Sequence, residues 1–179
     1  MGSLITLKLG NNQLEGPIPD SIASAQALEV LELQENRLSG ELPFGIGALF
    51  NLRTLRLESN RDDAVPGSGI SGELPSTVGN FVFLQRFEIH TNSFSGPLPS
   101  EIGNLRRLEY FDIEFNNFSG AIPDEIASME SLSRFYLSNN SFSGAMPEGI
   151  CQLELDQLVP DCDIECSCCT WPDVLGCNA

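Results

Sequence analysis

Apolar positions return along this chain in one fixed order. Leu28, Leu31 and Leu33 precede a polar Asn36, and Leu38, Leu42, Ile46 and Leu49 follow it. The order restarts with Leu52, Leu55, Leu57 and Asn60. It is written again, with some aromatic replacements, in Leu108, Phe111, Ile113, Asn116, Phe118, Ile122, Ile126 and Met129. Six asparagines set the phase: Asn12, Asn36, Asn60, Asn92, Asn116 and Asn140, at spacings of 24, 24, 32, 24 and 24 residues. Self-similarity at such a period predicts stacked coils, because a single coil cannot bury its own apolar edge and needs neighbours on both sides.

Each stretch of the unit has a physical assignment. The alternation in Leu-x-Leu points the leucines inward and the x residues outward, so it predicts a short strand that pairs in parallel with the next coil. The asparagine falls where the chain must turn. Its amide offers two donors and an acceptor, enough to satisfy backbone groups of its own and adjacent coils, so the six side chains predict a ladder. Leaving such a group unpaired costs about 1–3 kcal/mol. The Ser-Gly and Pro positions shape the return path, because glycine tolerates positive φ and proline cannot donate to a ladder. The closing Ile-x-x-Leu-x-x-Leu has helical or 3₁₀ spacing.

With Leu38-Ser-Gly-Glu-Leu-Pro43, Phe94-Ser-Gly-Pro-Leu-Pro99 and Phe118-Ser-Gly-Ala-Ile-Pro123 in phase, the unit resembles the plant-type leucine-rich repeat of receptor-like kinases, receptor-like proteins and secreted inhibitors. The resemblance implies an α/β solenoid. This would be a right-handed leucine-rich-repeat superhelix with a parallel concave β-sheet and short helical, 3₁₀ and extended segments on the convex side. It divides the chain into six repeats over residues 1–150 and a disulfide-rich C-terminal cap over 151–179. It also implies that the strands line a concave face that contacts ligands.

Two departures stand out. The 32-residue spacing holds an insertion of eight residues near 61–68. It is expected as a surface loop at the edge of the concave face, because long insertions cost little closure entropy and loops often carry contacts. Ala25 replaces the expected leucine of the first coil, which should therefore be the softest.

Read as strand columns, the exposed positions are Arg86, Glu88, His90 and Thr91 in the fourth coil, Tyr110, Asp112, Glu114 and Phe115 in the fifth, and Arg134, Tyr136, Ser138 and Asn139 in the sixth. Exposed aromatics beside arginine are what interface hot spots favour. Arg86, Glu88, His90, Tyr110, Asp112, Glu114, Phe115, Arg134 and Tyr136 are therefore the candidate ligand-binding residues. The competing reading is ordinary cross-strand pairing, with arginine–acid pairs worth under about 1 kcal/mol each. Strands of five residues would give a face of about 460 Å². That is small beside the roughly 800 Å² per partner of a standard interface.

All six cysteines, Cys151, Cys162, Cys166, Cys168, Cys169 and Cys177, fall in the last part of the chain. A cysteine-free body with a cysteine-rich end suggests disulfides and an oxidising compartment. Full pairing allows 15 connectivities, and all stay open. The spacing does not make the paired C-x-x-C knuckles of structural zinc, so no metal is expected there. By resemblance, Asp161-Cys162 and Cys166-Ser-Cys-Cys-Thr170 are similar to the C-terminal cap of secreted repeat proteins from algal lineages, with Trp171 expected to pack on it. Asn117-Phe-Ser and Asn139-Asn-Ser are candidate glycosylation sequons, set against chance occurrence in Asn- and Ser-rich repeats.

Nine basic and 25 acidic residues leave a net charge of −16. This excludes nucleic acid, which needs a basic footprint, and docking on anionic lipid. After Arg134 the chain holds seven acids and no base. They are expected as a solvated end; a calcium site at Asp161, Asp163 and Glu165 is the alternative, without the spacing of an EF-hand. No apolar run is long enough for a membrane helix. Met1, Gly2 and Ser3 carry no signal-peptide character, so the expectation is a segment that lacks its leader and part of its N-terminal end.

These observations favour an extracellular or cell-surface binding module for a protein, peptide or glycan ligand, with no cofactor. The alternative is a secreted inhibitor of a hydrolase that uses the same face. Catalysis is not expected: His90 has no nucleophile motif to serve, and a repeat scaffold offers no dedicated pocket.

Overall fold

The computed structural model describes residues 3–62, 64–161 and 164–166. Met1, Gly2, Cys162, Asp163, Cys168, Cys169, Thr170, Trp171 and Cys177, named above, lie outside the described residues. The chain winds into a solenoid with one strand per coil on its concave side. Thr6–Lys8, Val30–Glu32, Thr54–Arg56, Arg86–Glu88, Tyr110–Asp112, Arg134–Tyr136 and Gln157–Val159 form one seven-stranded sheet in sequence order, and every pair is parallel. The sheet thus runs one strand past the six repeats, into the segment expected as a cap. On the descending side, Gly40–Glu41, Ile70–Glu73, Ser93–Gly96, Asn117–Gly120 and Ser141–Phe142 pair in a second parallel sheet.

The return path is 3₁₀, as the Ile-x-x-Leu spacing predicts. Among the described residues, six such helices run over Asp20–Ser24, Phe44–Ala48, Ser76–Asn80, Ser100–Asn104, Asp124–Ser128 and Glu148–Gln152. A proline opens each one; Pro43, for example, sits in an extended conformation at φ −63°, ψ 136°. Its fixed φ starts the helix, and its missing N–H is not needed there.

The core is continuous from coil to coil. The inward strand column reads Leu7, Leu31, Leu55, Phe87, Phe111, Phe135 and Leu158. Phe87, Phe111 and Phe135 stack at centroid distances of 5.4 and 5.3 Å. A second stack, Phe94, Phe118 and Phe142, lies just past the turn at 5.9 and 6.0 Å.

The six asparagines align along one edge, and the ladder has a direction. Each side-chain oxygen accepts from a backbone N–H of the preceding coil: Asn36 from Leu14, Asn60 from Leu38 and Asn92 from Ile70, each at 3.0 Å. Asn116 accepts from Phe94 at 3.1 Å and Asn140 from Phe118 at 3.0 Å. The amide nitrogens donate back to carbonyls of the preceding coil, Asn92 to Leu57 at 2.8 Å and Asn116 to Ile89 at 3.0 Å. The Asn12 side chain, in the first coil, donates to the Leu9 and Gly10 carbonyls of its own turn.

Asp161 occupies the next rung, and this corrects the expectation of a solvated acidic end. It is buried, and its carboxyl oxygens accept from Phe142 N at 3.0 Å and Asn140 N at 3.4 Å. The last repeat has an N–H to satisfy, and an acid meets that need as well as an amide does. Asp161 is therefore tied to the backbone and not posed as a calcium ligand.

Candidate ligand-binding face

Strand register sets the concave surface. Thr6, Val30, Thr54, Arg86, Tyr110, Arg134 and Gln157 make one column, and Lys8, Glu32, Arg56, Glu88, Asp112, Tyr136 and Val159 the next. Past the strand ends, Glu58, His90, Glu114 and Ser138 follow one another as a third column, their carbonyls accepting from the N–H groups of Glu35, Ser59, Thr91 and Phe115. The strands are three residues long, shorter than the five expected. The residue before each ladder asparagine turns left-handed, with φ of 53–59° at Asn11, Glu35, Ser59, Thr91, Phe115 and Asn139. A left-handed turn costs a non-glycine residue about 1–2 kcal/mol. The ladder bonds on either side hold it in place. Phe115, expected on a strand, is thus a turn residue, 45% exposed. Thr91 and Asn139 share its position.

Glu88 and Asp112, expected as exposed contacts, are buried at 4% and 6% exposure. The cause is coverage by longer neighbours. Glu88 Oε1 pairs with Arg56 Nε at 2.8 Å and with Arg86 Nε. Tyr110 Oη donates to Asp112 Oδ2 at 3.4 Å, and Glu114 N donates to Asp112 Oδ1 at 3.2 Å. Burial pushes the Asp112 carboxyl up to about 7, helped by the nearby Glu114 and Glu88 charges and opposed by its hydrogen bonds. Burial, with the neighbouring Asp112 and Glu88, also raises Tyr110, which stays a neutral donor. Glu58 is buried at 4% exposure, and burial raises its carboxyl too. Burial works against the Arg56 guanidinium, but Glu58 and Glu88 together overcome it and hold the group charged.

The first column carries the aromatic patch. The Arg86 guanidinium lies 4.3 Å over the Tyr110 ring, and Tyr110 meets Tyr136 at 5.4 Å and 42°. Arg134 is exposed in register beside Tyr110. Among the described residues its side chain has no ion-pair partner. Arg86, Glu109, Tyr110, Ser131, Ser133 and Arg134 line an open groove of about 490 Å³ at this edge.

The face also brings together a group that sequence reasoning missed. One donor atom each from Glu58, Glu88 and His90 lies within 4.8 Å of the others. The signal was present: Glu58 and His90 occupy the same position in successive coils, hidden by the insertion that makes their spacing irregular.

The insertion folds along the turn edge. Arg61 Nη1 donates to the Asn92 and Phe115 carbonyls at 3.1 and 3.3 Å, and Ser93 Oγ donates to Ser68 O at 2.7 Å. The loop is thereby pinned beside coils four and five. Asn117 and Asn139 are both exposed. Cys151 and Cys166 are each disulfide-bonded. Glu165 bridges to Ala145, so the described end of the chain lies against the sixth coil.

The comparisons with known proteins agree with this geometry. The family profile described as a leucine-rich repeat region matches residues 3–165. The chain belongs to the leucine-rich-repeat family. It is similar to the structure described as the plant peptide hormone receptor RGFR1 in complex with RGF2, at 33% identity and a TM-score of 0.81 over 88% of this chain and 24% of that one. It is also similar to the Arabidopsis receptor kinase HAESA in complex with the peptide hormone IDA and the co-receptor SERK1, at 31% identity and a TM-score of 0.79 over 88% of this chain and 25% of that one. The BIR2 ectodomain from Arabidopsis thaliana matches at 33% identity and a TM-score of 0.65 over 76% of this chain and 67% of that one. The chain thus spans about a quarter of the two peptide-bound receptors. No curated protein matches it. No helix among the described residues is long and apolar enough to cross a membrane.

Proposed function

We propose that this chain is an extracellular recognition module of the plant receptor type. It binds an extended peptide or protein segment laid across the concave strands, and it performs no catalysis. The observation that carries the reading is the in-register row Arg86, Tyr110, Arg134, with Tyr136 against it. Tyr110 is held rigid between neighbours, so little side-chain entropy is lost when a ligand covers it. The Arg134 guanidinium has no ion-pair partner among the described residues and is ready for one from outside. Two of the similar structures are receptors in complex with peptide hormones, which supports a peptide as the ligand class. The disulfide-bonded Cys151 and Cys166 and the exposed sequon at Asn117 fit an oxidising, glycosylating route to the cell surface.

Selection of peptides from a random display library on the immobilised chain tests this. Arg134→Ala and Tyr110→Ala should each weaken a selected peptide by about thirtyfold, the effect of a hot spot worth roughly 2 kcal/mol. Peptides that bind the double variant as well as the parent, or whose cross-links map to the 3₁₀ side, would reject the concave face.

A further inference from the structure

We propose that Glu58, Glu88 and His90 form a cation site on the concave face that takes one divalent first-row metal ion of the zinc type. Glu88 and His90 are two residues apart, so their side chains leave the chain on the same side. Glu58 stands opposite His90 on the preceding coil. The three donor atoms already lie within 4.8 Å of one another. A tetrahedral metal bound to each at about 2.0–2.2 Å brings them to roughly 3.3–3.6 Å of one another. Closing that difference takes side-chain rotations that move the donor atoms by about an ångström, within reach of glutamate and histidine rotamers.

An independent observation points to a missing partner. Glu58 Oε2 is buried, on a residue 4% exposed, and no neighbouring residue donates to it. Its other oxygen is taken by Arg56, which also reaches Glu88. Arg56 is the more exposed member, at 31% for its side chain against 5% and 6% for the two glutamates. It therefore covers the acids like a lid and can swing to solvent when a metal replaces its charge. The local balance favours a second cation: Glu58 and Glu88 share Arg56 and Arg86, and the Glu88 and Glu114 charges both act on the neighbouring Asp112. His90 Nδ1 lies 3.1 Å from Thr91 Oγ1, a contact of the kind that fixes a metal-bound imidazole.

One imidazole with two carboxylates suits zinc and its neighbours; calcium and magnesium prefer oxygen alone. Three protein ligands leave a coordination position open toward the concave face, where water, or a carbonyl or carboxylate of a bound ligand, completes the shell.

The test uses the full, oxidised chain in physiological salt with no peptide present, so its outcome is independent of the peptide reading. Co²⁺ serves as the spectroscopic probe and Zn²⁺ as its competitor. One Co²⁺ per chain should bind with visible ligand-field bands, and Zn²⁺ should displace it. Glu58→Gln and His90→Gln should each weaken Co²⁺ by at least about tenfold. Glu101→Gln, an exposed acid on a distant 3₁₀ helix, should leave it unchanged. Zn²⁺ should also protect the chain's single histidine from carbethoxylation, a readout on the unaltered protein. Equal Co²⁺ affinity in the parent and His90→Gln, thiolate charge-transfer bands, or unprotected His90 would overturn the proposal.

Discussion

The first three coils and the next three carry the same repeat on different side chains. In the front half the inward strand residues are Leu7, Leu31 and Leu55; in the rear half they are Phe87, Phe111 and Phe135. The position after the ladder changes in the same way, from Leu14, Leu38 and Ile70 to Phe94, Phe118 and Phe142. The concave column changes with them, from Thr6, Val30 and Thr54 to Arg86, Tyr110 and Arg134. Stacked rings add about 0.5–1.5 kcal/mol per pair beyond the area they bury. The stiffest core therefore lies under the patch best equipped for contact, and a rigid floor keeps Tyr110 and its neighbours in fixed register. The front half loosens toward its open end, where Ile5, Leu9 and Leu14 are 54%, 39% and 37% exposed.

Removing one ring from the middle of a stack should have the largest effect. Phe111 is fully buried between two partners. Phe111→Ala should cost about 3–5 kcal/mol, from lost transfer energy and the cavity left behind. Leu7→Ala, at the half-covered end, should cost far less. Denaturant titration of both variants checks this, and equal losses would mean that the two halves do not differ in stiffness.

The two ends of the ladder sharpen the comparison. Every rung reaches backward, so the first needs no acceptor and the last coil needs one more residue beyond it. Asp161→Ala should strand the buried Phe142 N–H and cost about 1–3 kcal/mol. Asp161→Asn keeps an acceptor in place and should recover most of that loss. Asn12→Ala, at an exposed turn, should change stability by a few tenths of a kcal/mol. Thermal unfolding of the three proteins ranks them.

Titration gives a further contrast. Asp112 is held up at about 7 by burial, whereas an unfolded aspartate titrates near 3.9. Between these values the folded chain keeps a proton that the unfolded chain has lost. Asp112 thus favours folding at low pH, and its contribution falls as pH rises through the window from about 4 to 7. Asp112→Asn should remove that part of the slope and be more stable than the parent at neutral pH. Unfolding free energies of both proteins across the window check it; parallel curves would remove Asp112 as the source.

The periodic features were legible in the sequence because each coil restates them. The strand positions, the ladder asparagines and the 3₁₀ return follow from one unit read several times. What escaped depends on contacts between coils with different side chains. Glu88 and Asp112 sit at exposed strand positions by alternation, yet Arg56, Arg86 and Tyr110 reach across from other positions and cover them. Phe115 directly follows the exposed strand position Glu114 in sequence, but the turn into the ladder takes it out of the sheet. Asp161 stands 21 residues after Asn140 and is not an asparagine, so a search for the repeated residue passes over the rung that closes the stack.

The smallest effect belongs to a surface charge pair of the front half. Arg37 and Glu15 approach to 3.3 Å with side chains 65% and 69% exposed, while Arg56 and Glu88 lie at 2.8 Å with 31% and 6%. Water screens the first pair and both side chains lose freedom on pairing, so its coupling should be about 0–1 kcal/mol and should fade with added salt. The second pair is largely shielded, and removing one partner leaves a buried charge behind. A double-mutant cycle on each pair, run at low and high salt, separates them. The expected result is a small, salt-sensitive coupling for Arg37 with Glu15 and a larger, salt-resistant one for Arg56 with Glu88. Equal couplings would mean that the concave acids are as open to solvent as the rim.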